Sequence, residues 1–388
     1  MQQTEQLGRY QLLDRIAFGG MAEIYRAKTF DDQGNVHWVA VKRVLRNLCT
    51  DGEFLRMLID EAKVSALLSH PNIARVYEFA HVGGDYFITM EFVDGKDLRA
   101  LLEKRRARKA PLSAAEVAWI GIGAARALDA AHSQHDRSGN WLHLVHRDVS
   151  PSNILLSYTG EVKLCDFGIA KATLNRVQTQ AGVIKGKVKY MSPEQTLGST
   201  LDGRSDLFSL GSVLYEAATL IPPFMTSNET DTLRLIRSGK RADPSTLQPS
   251  TPAALNAIIN RLHARQAAER FSSGAELERA LTEFLQADAP SYRRSHFARL
   301  MRDEFSGEIE QELRTMEEYV VHEADPQALG ENLIADVLDK EAPFRRFAPS
   351  DGTQTTAHDG GDATRKHAVR SLHHEPTRLL RDEQTKKL

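Results

Sequence analysis

Between residues 9 and 91 the apolar positions fall into short runs of strand length: YQLLDRIAF, AEIYRAK, HWVAVKRV, ARVYEFAHV and YFITMEFV. Turn signals at Asp31-Asp32-Gln33-Gly34 and Gly83-Gly84 divide them. One stretch, DGEFLRMLIDEAKVSALLSH, instead spaces Phe54, Leu58, Ala62 and Leu67 as one face of a helix. Five strands and one helix predict a small, mostly antiparallel unit. From about 97 to 287 the pattern is helical, and AAEVAWIGIGAARALDAAHS and LFSLGSVLYEAATLIPPF are its most apolar segments. The second of these contains Glu216 and ends in Pro222-Pro223, so it reads as a core helix and not as a bilayer span. Residues 291–322 predict an amphipathic, charge-laced helix that either docks on the preceding domain or mediates dimerisation. Beyond about 323 the chain is polar and poor in apolar residues, a composition expected to be disordered.

Composition narrows the function classes. A chain of 388 residues has room for two or three units. Its net charge of -2 gives no general attraction to nucleic acid or to an anionic membrane. Two cysteines, Cys49 and Cys165, are too few for a disulfide framework and suit a reducing compartment. The opening MQQTEQLGRYQLL has no basic stretch followed by an apolar core, so a cytoplasmic protein is expected. Four histidines, His132, His135, His143 and His146, lie close together, but packing and a polar insertion explain them better than a zinc site. The basic run EKRRARKAP, 103–111, reads as a solvated helix end rather than a dock for an acidic partner.

Chemistry enters through an ordered series of short motifs. These are IAFGGMAEIY at 16–25, VAVK at 39–42, a glutamate (Glu61) nine positions before HPNI, HRDVSPSN at 146–153, CDFG at 165–168, SPE at 192–194, RSDLFSLG at 204–211 and ERF at 269–271. Together, over about 9–287, they resemble the bacterial branch of the eukaryotic-type (Hanks-type) serine/threonine protein kinases. The resemblance implies an α+β, bilobal protein-kinase fold. A small antiparallel-sheet N-lobe with one helix (9–91) would precede a larger helical C-lobe (92–287), followed by a helical extension (288–322) and a disordered tail (323–388).

The resemblance also assigns roles. The loop over the ATP phosphates would comprise Ile16, Ala17, Phe18, Gly19, Gly20, Met21, Ala22, Glu23 and Ile24, with alanine at two of the three usual glycine places. Ile24 and Ala40 would roof the adenine, Leu155 would floor it, Met90 would be the gatekeeper, and Glu91 to Val93 would be the hinge. Lys42 would hold the α- and β-phosphates and pair with Glu61. Asp148 would orient the acceptor hydroxyl, while Asn153 and Asp166 would ligate Mg2+, with Mn2+ as an alternative. Glu194 would pair with Arg270, and Asp206 would anchor the catalytic loop.

One departure concerns catalysis. Relatives with HRDxK carry a lysine where this chain has Ser150, and a P+1-segment threonine where GKVKYMSPE places Lys187. Hydroxyl and ammonium have exchanged places, and a lysine on a long stem can deliver its charge from a different anchor. An active enzyme with Lys187 and Ser150 in exchanged roles is therefore expected, although both markers of serine/threonine over tyrosine preference are lost. Arg147 is expected to bind a phosphorylated activation-loop residue, best placed at Thr179 and next at Thr173. The expected activity is Mg-ATP-dependent phosphorylation of proteins, itself in trans included, and partners that read a phosphorylated tail are a further expectation. The rival reading is a pseudokinase that binds nucleotide and acts as a signalling scaffold. A small-molecule kinase fits less well, since the SPE segment and the helices after it suit protein substrates.

Overall fold

A six-stranded antiparallel sheet forms the N-terminal part of this computed structural model, which describes residues 5–31, 33–136, 138–167 and 188–323. Strands β2 (Tyr10–Phe18), β3 (Ala22–Phe30), β4 (Val36–Val44), β5 (Val76–Val82) and β6 (Asp85–Glu91) occupy the five apolar runs, and β1 (Glu5–Leu7) adds an edge. Their order is β1-β2-β3-β4-β6-β5. Helix α1 (Gly52–Ser65) starts where Asp51 accepts hydrogen bonds from the backbone amides of Glu53 and Phe54, satisfying two orphan donors. Phe54, Leu58 and Ala62 then pack against Ala40, Ile88 and Met90 of the sheet. Leu67 departs from the expected stripe. The helix ends at Ser65, so Leu67 is 45% exposed and its neighbour Leu68 is buried instead.

The C-terminal lobe is helical, as expected, but it opens with a second sheet that the hydrophobic pattern does not signal. Its strands β7 (Gly95–Asp97), β8 (Ile154–Ser157) and β9 (Val162–Leu164) are too short to show an alternation. Gly95 is required there, because an added Cβ would lie 2.0 Å from the carbonyl oxygen of Leu156. Helices α2 (Leu98–Ala107), α3 (Ala114–His132), α4 (Pro193–Leu197), α5 (Gly203–Thr219), α6 (Glu229–Ser238), α7 (Pro244–Leu247), α8 (Ala253–Leu262) and α9 (Gly274–Asp288) complete the lobe. Every residue of α5 from Ser205 to Thr219 is buried, so the most apolar run becomes the centre of the core. Among the described residues no helix is long and apolar enough to cross a membrane.

The single helix expected over 291–322 is two helices, α10 (Arg294–Glu304) and α11 (Ser306–Glu323). The break at Phe305 turns Phe297, Met301 and Phe305 into the same core as α3 and α5, each at most 2% exposed. Docking also corrects the reading of the basic run. Arg105 and Arg108 of 103–111 lie 3.3 and 2.9 Å from the Glu304 carboxylate, and Lys104 lies 2.7 Å from Glu308. The run meets an acidic face of its own chain, whose alternating charges look like a solvated surface when read one helix at a time.

Candidate active site

The site is assembled from the buried helix α5 outward. Asp206, 1% exposed on its first turn, accepts hydrogen bonds from the backbone amides of His146 (2.7 Å) and Arg147 (2.8 Å). Its Oδ2 also lies 2.8 Å from His132 Nε2. Gln195 Nε2 donates to the Arg147 carbonyl at 3.0 Å, so the loop is pinned from two helices. Arg147 pays a backbone cost for this course, with a left-handed φ of 64°. Such a conformation persists in a non-glycine residue only where its surroundings impose it.

The pinned loop presents two side chains. Asp148 is 8% exposed, and its Oδ2 accepts from Asn153 Nδ2 at 2.7 Å, while the same amide nitrogen donates to the Asp148 carbonyl at 2.8 Å. Asn153 is thereby oriented, since an amide that spends its NH2 on Asp148 turns its oxygen elsewhere. The Asn153 carbonyl accepts from the backbone of Cys165 at 3.0 Å, which joins this loop to the segment carrying Asp166. Asp166 has φ of 57°, and its Oδ1 accepts from Lys42 Nζ at 2.8 Å. Lys42 reaches it from β4, where it faces Ile24 on β3 and Ile88 on β6. His146 completes the frame: Nε2 lies 3.1 Å from the Cys165 carbonyl and the ring packs 4.5 Å from that of Phe167.

Around this centre the other expected residues take these places. The β2–β3 hairpin pairs Ala17 with Ile24 and Phe18 with Glu23, and Gly19 N donates to the Ala22 carbonyl at 2.9 Å. Ile16 and Phe18 are 43% and 66% exposed at the hairpin, whereas Ala22, directly after the turn, is buried and Met21 packs toward Ala40. Met90, 8% exposed, faces Ala40 across the β4–β6 ladder. A cavity of about 20 Å³ lies behind it, lined by Ala62, Ile88, Cys165, Asp166 and Phe167 among others. The Glu91 side chain pairs with Lys163 at 2.8 Å and its amide donates to the Arg75 carbonyl at 2.8 Å, leaving the Glu91 carbonyl and the backbone of Phe92 and Val93 as the part of this segment that can address a base. Leu155 sits on β8 opposite Asp97 of β7. Ser150, 2% exposed, has its Oγ 3.1 Å from Ser152 Oγ. Glu61 belongs to α1 by its backbone, and its side chain lies outside the described residues, as do Lys187, Thr173 and Thr179 entirely.

The amide oxygen of Asn153 and the carboxylate of Asp166 are hard donors, fitting a divalent cation such as Mg2+ that takes its remaining ligands from water and phosphate oxygens. Two residues were not anticipated. His132 is a third partner of Asp206, and Glu216, 1% exposed on α5, accepts from Tyr190 Oη at 2.5 Å and pairs with Arg106. Asp94, beside the hinge, has its carboxyl pushed up to about 7 by burial first and by the nearby Glu312 second. Only the acidic residue within an apolar stretch hinted at the role of Glu216.

Comparison with known proteins agrees with this geometry. A family model described as the protein kinase domain matches residues 10–285. The chain is 40% identical over 278 residues to the tyrosine-protein kinase MasK of Myxococcus xanthus, covering 72% of this chain and 43% of that one. It is 33% identical over 273 residues to the serine/threonine-protein kinase PknD of Mycobacterium tuberculosis, covering 70% and 39%. The chain thus spans about two-fifths of the length of these curated relatives. Among solved structures, the crystal structure of the Mycobacterium tuberculosis PknI kinase domain superposes with a TM-score of 0.54 at 28% identity, covering 72% of this chain and 97% of that one.

Proposed function

From the premise that the chain belongs to the protein kinase domain family, in its bacterial serine/threonine branch, we propose that it transfers the γ-phosphate of ATP to hydroxyl groups of proteins, serine and threonine foremost and its own chain included. The observation that carries this reading is the unbroken run of contacts from Asp148 through Asn153 and Cys165 to Asp166 and Lys42. A scaffold that only binds nucleotide has no need to orient Asp148, whose place at the loop suits an acceptor hydroxyl and its departing proton. Lys42 supplies positive charge to the α- and β-phosphates, and Asn153 and Asp166 hold the divalent metal. Bound there, the metal neutralises charge on the β- and γ-phosphates. The protein's share is therefore positioning and preorganised charge. Because ATP is made inside the cell, the cytoplasm is its proposed place of action.

Ser150 and Lys187 are proposed to act in exchanged roles, Lys187 bringing charge to the γ-phosphate from the facing segment. Arg147 is proposed to receive a phosphate on Thr179 or Thr173. In support, its buried Nε has no hydrogen-bond partner among the described residues, and a guanidinium so placed awaits an anion. A tyrosine acceptor is the second reading, favoured by the name of the Myxococcus relative and by the absence of lysine at 150.

Purified full chain incubated with Mg-ATP, beside Asp148→Asn and Lys187→Thr, tests all of this. Incorporation that vanishes in Asp148→Asn supports phosphotransfer, and mass mapping of the sites decides between hydroxyl classes. Full activity in Lys187→Thr removes the exchanged roles, and no incorporation into any peptide moves the reading to a nucleotide-binding scaffold.

A further inference from the structure

Helix α11 lies against the segment that follows the hinge. Phe305, 2% exposed, and Ile309 anchor its start in the C-lobe core, and from there Glu308 and Glu312 recur four residues apart on one face. Glu308 meets Lys104 of α2 at 2.7 Å. Glu312 pairs with Lys96 of β7 and accepts from Tyr158 Oη at 3.4 Å. Lys96 stands opposite Leu156 in the β7–β8 ladder, one residue from Leu155, and the amide of Tyr158 donates to the Asp94 carbonyl at 2.9 Å. The carboxylate of Glu312 therefore ties together the two strands beneath the nucleotide pocket and the residue that leaves the hinge. The same helix also faces the N-lobe. Gln311, Glu312 and Thr315 lie across a cavity of about 240 Å³ from Asp14, Ile16 and Arg26 of β2 and β3.

We propose that Glu312 is a positioning residue for ATP: through Lys96 and Tyr158 it fixes β7, β8 and the exit of the hinge, so that Leu155 and the Glu91–Val93 backbone are held in register for the base. This rests on the nucleotide reading above. Glu308 and Glu312 pair with Lys104 and Lys96, residues of α2 and β7 outside the phosphate-handling set of Lys42, Asp148, Asn153 and Asp166, so the effect is assigned to nucleotide affinity and not to the chemical step. Among the described contacts, the neighbouring acid Glu310 instead points along the exposed face to Arg314 at 2.7 Å and provides a matched control.

The experiment measures ATP affinity of the full chain by displacement of a fluorescent ATP analogue, with kcat and KM for ATP in parallel. The variants are Glu312→Lys, Glu312→Gln, Glu310→Lys and the charge swap Lys96→Glu with Glu312→Lys. Glu312→Lys is expected to weaken ATP binding about 5-fold or more with kcat at saturating ATP within about 2-fold, and Glu312→Gln to do so more mildly. The swap restores affinity, and Glu310→Lys leaves it unchanged. If Glu312→Lys does not fold, Glu312→Gln and the swap carry the result. Parent-like affinity in both Glu312 single variants, a swap no better than Glu312→Lys, or an equal loss in Glu310→Lys overturns the inference while leaving the kinase reading intact. A parent chain that binds no ATP overturns both.

Discussion

Arg270 grips Glu194 through two parallel hydrogen bonds, Nη1 to Oε1 at 2.6 Å and Nη2 to Oε2 at 2.9 Å. The guanidinium is fully buried and also donates to the carbonyls of Ala264 (2.9 Å) and Arg204 (3.0 Å), so α4, α5 and the chain that follows α8 meet at one side chain. Removing one partner of a buried pair leaves the other uncompensated, at a cost of about 3–5 kcal/mol. Arg270→Ala should lose that much stability in urea unfolding. Arg270→Lys should recover only a minor part, because an ammonium cannot reproduce the fork. A loss in Arg270→Ala of less than about 1 kcal/mol would show that the pair is not structural.

The contact between Lys42 Nζ and Asp166 Oδ1 joins the two lobes where the phosphates are proposed to lie. Lys42→Met keeps the length of the stem and removes the charge, so kcat should fall by about 100-fold or more, the scale of losing one preorganised charge donor. Circular dichroism and melting temperature should stay near those of the parent, since the pair is partly solvated. Steady-state assay with a protein substrate checks this, and a variant with more than about a tenth of parental kcat would remove Lys42 from phosphate handling.

The N-lobe strands were legible because their apolar residues fall in runs of strand length divided by turn signals, and HRDVSPSN and CDFG were legible because their chemistry demands fixed residue types at fixed spacing. What escaped is of another kind. Strands β7 to β9 have three or four residues, and β7 exists through pairing with β8 far along the chain, as Lys96 with Leu156, which no local pattern encodes. Glu304 and Glu308 looked like helix-surface charges until docking placed Lys104, Arg105 and Arg108 against them. Leu67 carried the helical spacing one turn too far because nothing in ALLSH marks the end of α1 as glycine or proline would.

Asp206 holds the backbone of the loop that carries Asp148 and Asn153, and its replacement is expected to separate binding from chemistry. Asp206→Ala leaves the buried amide of His146 and its neighbour at Arg147 without an acceptor, at about 1–3 kcal/mol for each group that stays dry. The loop carrying Asp148 and Asn153 should then lose its fixed geometry, with kcat down by about 100-fold. Nucleotide affinity should hold within about 3-fold, because the hinge backbone and Lys42 are anchored elsewhere. Isothermal titration with ADP beside a turnover assay separates the two effects. Parallel losses in both would mean that Asp206 supports the whole lobe instead.

The carboxyl of Asp94 introduces a pH dependence of its own. Burial and the charge of Glu312 raise it from the usual 3.8 to about 7 in the folded protein, with Arg26 and Lys96 opposing. Below pH 3.8 folded and unfolded chains both hold the proton, and this group's favourable contribution is fully present. It declines as pH rises through the interval and is lost above about 7, where the folded chain must carry a partly buried carboxylate. Glu308, Glu276 and Glu23 have lowered values and act in the opposite sense, losing stability as the solution becomes acidic. Comparison with Asp94→Asn isolates the single group, because the amide is neutral throughout. Between pH 5 and pH 8 the parent should lose about 1–2 kcal/mol relative to the variant, allowing for partial solvent access. Glu312→Gln should move the interval toward lower pH by removing the neighbouring charge. A parent-minus-variant difference that stays flat from pH 5 to 8 in thermal unfolding would mean that Asp94 ionises there as an ordinary solvated acid.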